Sequence, residues 1–132
     1  MSTLKLDTLS NKAGTASVPS DTIVSGTAKA WVNFNGTGTV AIRRAFNVSS
    51  ITDNATGDYT VNFTNAMPDV NYTAVAASDS TNSNSPQGMV INFGTAINNK
   101  VSPTTSALRV SCWVLATGAG FDNPYINVAV FS

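Results

Sequence analysis

The hydrophobic pattern of the chain repeats every two residues over several short stretches. Period two predicts strands, because successive side chains of an extended chain point to opposite faces. The clearest stretches are residues 58–64, 107–115 and 125–131. In the first stretch Tyr59, Val61 and Phe63 share one face and are predicted to fill the core. In the second, Leu108, Val110, Cys112 and Val114 share one face, and in the third Ile126, Val128 and Val130 do.

Turn signals separate the alternating stretches at a spacing of about ten residues, which is typical of sandwiches and barrels. Asn35-Gly36 predicts a type I′ hairpin turn, because both central residues of that turn need positive φ. Gly57, in "DNATGD", predicts a second tight turn with a positive φ. We therefore predict an all-β fold: a single antiparallel, jelly-roll-like β-sandwich of about seven or eight strands. Its outward loops are expected near residues 79–87, 95–104 and 117–124.

The first 27 residues lack any sustained period and are rich in small polar residues. They still carry Leu4, Leu6 and Leu9, which are too many apolar side chains for a simple linker. We predict two parts: an extended arm over residues 1–27, which anchors the protein or lies between subunits, and a sandwich domain over residues 28–132.

The last two alternating stretches are apolar on both faces, not on one. A strand with one solvent-exposed face does not need a second apolar face. Two explanations remain open from the pattern: the two strands are central in their sheets, or one face meets a second subunit.

Composition narrows the function classes. Seven basic and seven acidic residues cancel, and only 11% of the residues are charged, against about one quarter in ordinary soluble domains. Nucleic acid and anionic membranes call for a basic excess, so neither is an expected partner. There is no apolar run long enough for a secretory signal or a bilayer span, so we expect synthesis in a cytoplasm without membrane insertion.

Candidate catalytic chemistry is sparse, since the chain has no histidine and no glutamate. Asp53 and Asp58 flank "NATG" and are the closest acidic pair, and we interpret them as turn-capping residues. A calcium site there is the alternative, although the acidic residue that closes an EF-hand loop is missing. Cys112 lies in an apolar alternating run and is interpreted as a buried small hydrophobe. We expect no enzyme activity, no catalytic residue, no cofactor and no transition-metal site.

We interpret the remaining polar and aromatic features of the sequence as structural in the first place. Arg43 and Arg44 are adjacent, and because strand neighbours face opposite ways, one of them should point inward or toward another chain. Five aromatic side chains could stack on sugars, but their place in alternating strands favours a core or interface role. They are Trp31, Tyr59, Tyr72, Trp113 and Tyr125. Four glycosylation-type triplets, at Asn47, Asn54, Asn62 and Asn71, are expected to stay bare.

Residues 29–72 resemble a module found near the ends of tail fibres and related virion proteins of tailed bacteriophages, especially marine and cyanobacterial ones. The likeness lies in "WVNFNGTGT", "FNVSSITDN", "TGDYTVNFT" and "AMPDVNY". The closing "NPYINVAVFS" also resembles the ends of such proteins, and "LDTLSNKAGT" resembles them more loosely. The resemblance covers about a third of the chain.

The resemblance implies a homotrimeric, β-rich knob on a fibre or capsid surface, with no catalytic residues. It suggests a virion structural protein that self-associates, binds other virion proteins through its arm and contacts the host surface, including its glycans. The chain has no shaft before the module, which raises capsid decoration as a first alternative. A free carbohydrate-binding module or glycosidase is the second.

Overall fold

A computed structural model describes residues 2–79, 87–90, 94–95, 99–114 and 118–132. For residues 79, 87–90, 94–95 and 99–100 the description covers the backbone alone. Most of the loop predicted near 79–87, and parts of those predicted near 95–104 and 117–124, lie outside the described residues. Within the described part, no helix is long and apolar enough to cross a bilayer.

The described elements are nearly all strands. In chain order they are β1 (Thr8–Ser10), β2 (Ser17–Pro19), α1 (Ser20–Gly26), β3 (Ala30–Asn35), β4 (Ala41–Phe46), β5 (Val48–Ala55), β6 (Asp58–Phe63), β7 (Thr73–Asp79), β8 (Gln87–Val90), β9 (Gly94–Thr95), β10 (Asn99–Lys100), β11 (Ala107–Val114), β12 (Ala119–Gly120) and β13 (Tyr125–Phe131).

Two antiparallel sheets form the body of the protein. The first has four strands in the order β4-β3-β13-β7. The second has five: β12-β11-β6-β5 form its path, and β8 pairs with β11 beside them. Two small two-stranded pairs, β1 with β2 and β9 with β10, complete the described strands. The prediction of an all-β fold built from antiparallel sheets is confirmed, while the jelly-roll detail stays a prediction.

The core lies between the inner faces of the two sheets, and strand alternation explains its membership. From the four-stranded sheet come the buried side chains of Ala30, Val32, Phe34, Ile126, Val128 and Val130. The five-stranded sheet supplies Tyr59, Val61, Phe63, Leu108, Val110 and Cys112. The predicted core set of Tyr59, Val61 and Phe63 is confirmed. On β11 and β13 the structure shows that the faces of Leu108 and Ile126 are the inward ones, with Val114 at the end of β11 only half-buried.

Aromatic edges join the two sheets across this core. The Phe34 and Tyr59 rings meet edge to face with centroids 5.2 Å apart, and Phe63 meets Tyr72 in the same way at 5.9 Å. Such pairs stabilise a fold by about 0.5–1.5 kcal/mol beyond their buried area. They also fix the sheets against one another, because the ring of each residue has one favourable orientation.

The doubly apolar strands are explained first by their position. β13 lies between β3 and β7, and β11 lies between β6 and β8, because Ser111 pairs with a residue of each. The explanation that these strands are central is therefore confirmed. Centrality does not cover their outer faces, however, and for β13 that face stays open, as described below.

One of the two predicted turns differs from the sequence prediction, and the other agrees with it. The β3–β4 hairpin exists, but its loop runs over residues 36–40 and the positive φ falls on Gly38, at 62°, so the type I′ turn at Asn35-Gly36 is wrong. Gly36 is buried instead, and a Cβ there would lie 2.5 Å from Tyr59 Oη. The prediction of a positive φ at Gly57 is confirmed, at 68°.

Asn47 is the point where the chain leaves one sheet for the other, a break that the alternation did not reveal. Its φ is 54°, a left-handed value between β4 and β5. Its side-chain amide donates to Lys29 O at 3.0 Å and Asn65 O at 3.1 Å, and its Oδ1 accepts from Asn65 N at 2.7 Å. Asparagine tolerates this backbone region better than most residues, and these bonds hold it there.

The N-terminal arm has local structure but contributes nothing to the core. The sequence predicted an extended arm, but the structure shows a β1–β2 hairpin and a seven-residue helix α1 there, so the arm is not extended throughout. Asn11 holds the hairpin loop by accepting bonds from Thr15 N and Ala16 N. Only Val18 and Ser20 are half-buried between residues 2 and 27, and Leu4, Leu9 and Val24 are more than half exposed.

Candidate functional site: the outer faces of the sandwich

The acidic pair considered for catalysis or calcium is separated by the sheet. Asp53 is exposed and stands opposite Tyr59 in the β5–β6 register, whereas Asp58 is buried and immediately precedes Tyr59. Strand alternation therefore places the two carboxylates on opposite faces. Among the described residues no group of three or more Cys, Asp, Glu or His side chains could hold a metal ion.

Asp58 has a partner that the sequence did not reveal. Arg109 on β11 donates from Nε to Oδ1 at 2.7 Å and from a terminal nitrogen to Oδ2 at 2.6 Å, a two-pronged pair. The hydrogen bonds that Arg109 donates to Asp58 raise the pKa of Arg109 above its usual value, so the guanidinium stays charged. Asp58 is thus committed to a structural ion pair, and its two oxygens are already occupied by donors.

A second aspartate, Asp122, fastens the β5–β6 turn to the chain before β13. Its Oδ1 accepts from Tyr59 Oη at 2.6 Å and from Gly57 N at 2.7 Å. Burial, followed by the hydrogen bond to Asp122, raises the pKa of Tyr59 far above its ordinary value. The arrangement keeps the phenol protonated and gives it a structural role.

Cys112 is fully buried, as predicted, and burial raises the pKa of its thiol. It lies near Ser78 and Asn123, whose side chains hydrogen-bond to each other at 3.1 Å. With the thiol protonated and closed to solvent, the site lacks the thiolate that nucleophilic chemistry needs.

The outer face of the five-stranded sheet, which we call the polar face, is a ladder of hydroxyl and amide side chains. Asn62 donates to Ser50 Oγ at 3.0 Å and to Thr52 Oγ1 at 2.9 Å. Asn54 donates to Thr60 Oγ1 at 2.9 Å. With the Asp58–Arg109 pair, most of the described polar side chains of this face bond to one another across the strands, and Trp113 Nε1 on β11 is the buried polar atom without a partner among them.

The outer face of the four-stranded sheet is different, and we call it the groove face. Two rows of side chains cross all four strands in register. One row is Phe46, Trp31, Ala129 and Val75, and the other is Arg44, Asn33, Asn127 and Ala77. Phe46 and Val75 each expose 54% of their surface. An open groove of about 610 Å³ lies over these rows and is floored mainly by apolar atoms.

Both arginines of the adjacent pair lie on the groove face, so neither points inward, and the alternative that one meets another chain stays a prediction. The β3–β4 register pairs Asn33 with Arg44 but Phe34 with Ile42, so Arg43 is an extra residue in a β-bulge. A bulge breaks the strict alternation of faces. Arg43 is therefore free to place its guanidinium carbon 4.2 Å from the centre of the Tyr125 ring, while Arg44 lines the groove. The two side chains are exposed.

The aromatic residues considered as sugar platforms divide into two groups. Tyr59 and Tyr72 are buried core residues, as the structural interpretation expected, and Trp113 is half-buried on β11. Trp31 lines the groove and Tyr125 is 46% exposed beneath Arg43. Only these last two are placed to meet a ligand on the groove face.

An asparagine pair in the groove was missed by sequence reasoning. Asn33 and Asn127 stand opposite each other on β3 and β13, and Asn33 Nδ2 donates to Asn127 Oδ1 at 2.7 Å. Polar residues at outward positions of a strand look like ordinary wet-face residues in the sequence. Their alignment with Trp31 and Arg44 depends on the register between strands, which no local pattern shows.

A second groove, of about 510 Å³, lies at the end of the sandwich near the arm. Its lining includes Val24 of α1, Phe46 of β4, and Met67 and Pro68 of the loop after β6. It joins the root of the arm to the edge of the groove face through Phe46, which contributes to both.

No protein-family model, curated protein or solved structure matches the chain.

Proposed function

We propose that the protein is a bacteriophage virion structural protein, a trimeric tail fibre or tip component whose arm anchors it and whose sandwich contacts the host surface. The proposal starts from the resemblance of residues 29–72 to virion modules. It has no catalytic step; of the residues considered for one, Asp58 is paired with Arg109, Cys112 is buried in the core, and Asp53 is exposed on the other face from Asp58.

The observation that carries the proposal is the exposed arm. Residues 2–27 bury no side chain, yet Leu4 is 81% exposed and Val24 is 61% exposed. A segment that keeps leucines in water gains nothing for the isolated subunit, since each buried apolar side chain is worth about 1.5–3 kcal/mol. The arm therefore acts by packing on another subunit or virion protein.

The groove at the end of the sandwich is a suitable place for self-association. It lies beside the root of the arm and offers Phe46, Met67 and Pro68 to an apolar partner. A neighbouring copy seated there would bury the exposed side of α1 together with Phe46. Static light scattering on the purified chain tests this step: a trimer is expected, and removal of residues 2–19 should give monomers.

Virion position is tested by gold-labelled antibodies against the sandwich, applied to purified phage particles that carry this protein. Label on the tail or fibre tips is the expected result. Label spread over the head would replace the proposal with capsid decoration, the first alternative. Particles without any label would overturn the virion assignment itself.

A further inference from the structure

We propose that the groove face binds an acidic saccharide, with Arg44 holding its carboxylate, Asn33 and Asn127 holding its hydroxyls, and Trp31 packing against a sugar ring. The inference rests on the proposed host contact and gives it a ligand class and a location. The argument for it uses the residues that line one groove and does not depend on the fold class.

The groove has the size and the mixed lining of a small-ligand site. Its volume of about 610 Å³ falls within the range of about 300–1,000 Å³ found for such pockets. Apolar side chains form most of its lining, and a few polar groups converge on one row. A saccharide has the matching character, because the C–H faces of its rings are apolar and their edges carry hydroxyls.

Arg44 gives the site its charge preference. Within the described side chains the single ion pair is Arg109 with Asp58, so Arg44 has no carboxylate within 4.0 Å. Its row across the sheet continues with Asn33, Asn127 and Ala77 and contains no acid. A guanidinium binds a carboxylate through two parallel hydrogen bonds, which is the strongest polar contact this groove could offer a ligand.

The asparagine pair supplies both donors and acceptors next to that charge. Asn33 Nδ2 and Asn127 Oδ1 are bonded to each other at 2.7 Å. This bond orients the two amides and leaves Asn33 Oδ1 and Asn127 Nδ2 to face a ligand. A carbonyl and an amide N–H side by side suit neighbouring sugar hydroxyls, which both donate and accept.

Trp31 provides the apolar contact in the adjacent row. It lies opposite Ala129, whose small side chain leaves the indole accessible from the groove. Tyr125 is covered by Arg43, which extends the cation-bearing edge of the same face. The site therefore places an aromatic surface, an amide pair and a cation in two adjacent rows across β4, β3 and β13.

A second copy of the same face is the alternative occupant, and the oligomeric state of Trp31→Ala distinguishes it from a saccharide. Asp79 stands opposite Tyr125 in the backbone register, one row beyond the Arg44 row. Arg43 lies over Tyr125 in that row, so Arg44 is the arginine on which the test depends.

Isothermal titration calorimetry of the full chain with tetragalacturonic acid tests the inference, and the methyl ester of the same tetrasaccharide is the matched neutral ligand. We expect binding of the acid and at least tenfold weaker binding of the ester. Arg44→Gln and Trp31→Ala should each weaken binding of the acid by about tenfold or more, as loss of a charged hydrogen bond or an aromatic platform does. Lys12→Gln removes one positive charge on the arm and should change nothing.

Four outcomes would overturn the inference. Absence of binding by both saccharides is one, and equal weakening by Lys12→Gln and Arg44→Gln is another, because it would indicate attraction to net charge alone. Equal affinity for tetra-aspartate would identify an acidic protein as the partner instead. Light scattering on the same samples completes the design: if Trp31→Ala turns oligomers into monomers, the face is a subunit contact and not a saccharide site. Virion labelling stands independently of all these results.

Discussion

The two outer faces of the sandwich differ in how their side chains are paired and in how much apolar surface they expose. On the polar face, Asn62 and Asn54 bond to hydroxyls of neighbouring strands, and Asp58 is paired with Arg109. On the groove face, Phe46 and Val75 stay more than half exposed and Arg44 has no carboxylate partner among the described side chains. The described hydroxyl and amide side chains of the polar face bond to one another, although Trp113 Nε1 has no partner there, whereas the groove face leaves apolar side chains and an arginine exposed.

The largest expected effect contrasts the two sides of one strand. Val128 is buried between the sheets and Ala129 is half-buried on the groove face, so Val128→Asp places an unpaired charge in the core while Ala129→Asp does not. Val128→Asp should reduce the free energy of unfolding by about 4 kcal/mol or more, or prevent folding. Ala129→Asp should cost less than about 1 kcal/mol in urea titrations.

Equal losses from these two substitutions would mean that the groove face is covered in the folded protein. Circular dichroism before titration shows whether Val128→Asp is folded but less stable or does not fold at all, because an unfolded chain loses its strand signal without any denaturant.

The second-largest expected loss of stability comes from breaking the Asp58–Arg109 ion pair. Asp58→Ala leaves the Arg109 guanidinium, whose side chain is 18% exposed, without its acceptor. Breaking a largely buried pair from one side costs about 3 kcal/mol. Urea titration should show that loss, and Asp58→Ala combined with Arg109→Met should recover most of it. Asp53→Ala is the matched control, since Asp53 is exposed, and it should cost less than about 0.5 kcal/mol.

Alkaline pH should destabilise the fold through a buried phenol. Burial raises the pKa of Tyr72 to about 12, from 10.0 in the unfolded chain. Its hydroxyl also donates to the carbonyl oxygens of Thr104 and Ala107, which an ionised phenolate could not do. The folded state therefore holds the proton more tightly, and the stabilisation present below pH 10 is lost as the pH rises toward 12.

Urea titrations at intervals between pH 9 and pH 12 measure this loss, expected at about 1–3 kcal/mol from Tyr72. Tyr72→Phe should flatten that part of the profile. An unchanged slope in Tyr72→Phe would assign the alkaline transition to other groups, of which Tyr59 is the first candidate because its pKa is also raised.

The smallest expected effect compares one asparagine from each outer face. Asn62 donates two cross-strand hydrogen bonds on the polar face, and Asn33 donates one on the groove face. Asn62→Ala should lower the free energy of unfolding by about 1 kcal/mol, and Asn33→Ala by about half as much. Saccharide titrations should rank them in reverse, with Asn33→Ala weakening binding and Asn62→Ala leaving it unchanged.

The sequence by itself determined the fold class and the division of each strand into two faces. Alternation with period two placed Tyr59, Val61 and Phe63 in the core, and each is buried. For the two doubly apolar strands it grouped the residues by face, and the structure decided that Val110 and Val128 are on the inward one. This works because the two faces of a strand are fixed by backbone geometry, and one of them must leave water. The same local logic assigned Gly57 its positive φ.

Only the tertiary structure decided which outward residues meet. Arg109 and Asp58 are 51 positions apart, and Asn33 and Asn127 are 94 apart, so their contacts depend on strand order and register. The bulge in β4 put Arg43 and Arg44 on one face, where strict alternation would have separated them. Register and bulges arise from the packing of whole sheets, and the groove, with its unpaired arginine, exists only as a result of that packing.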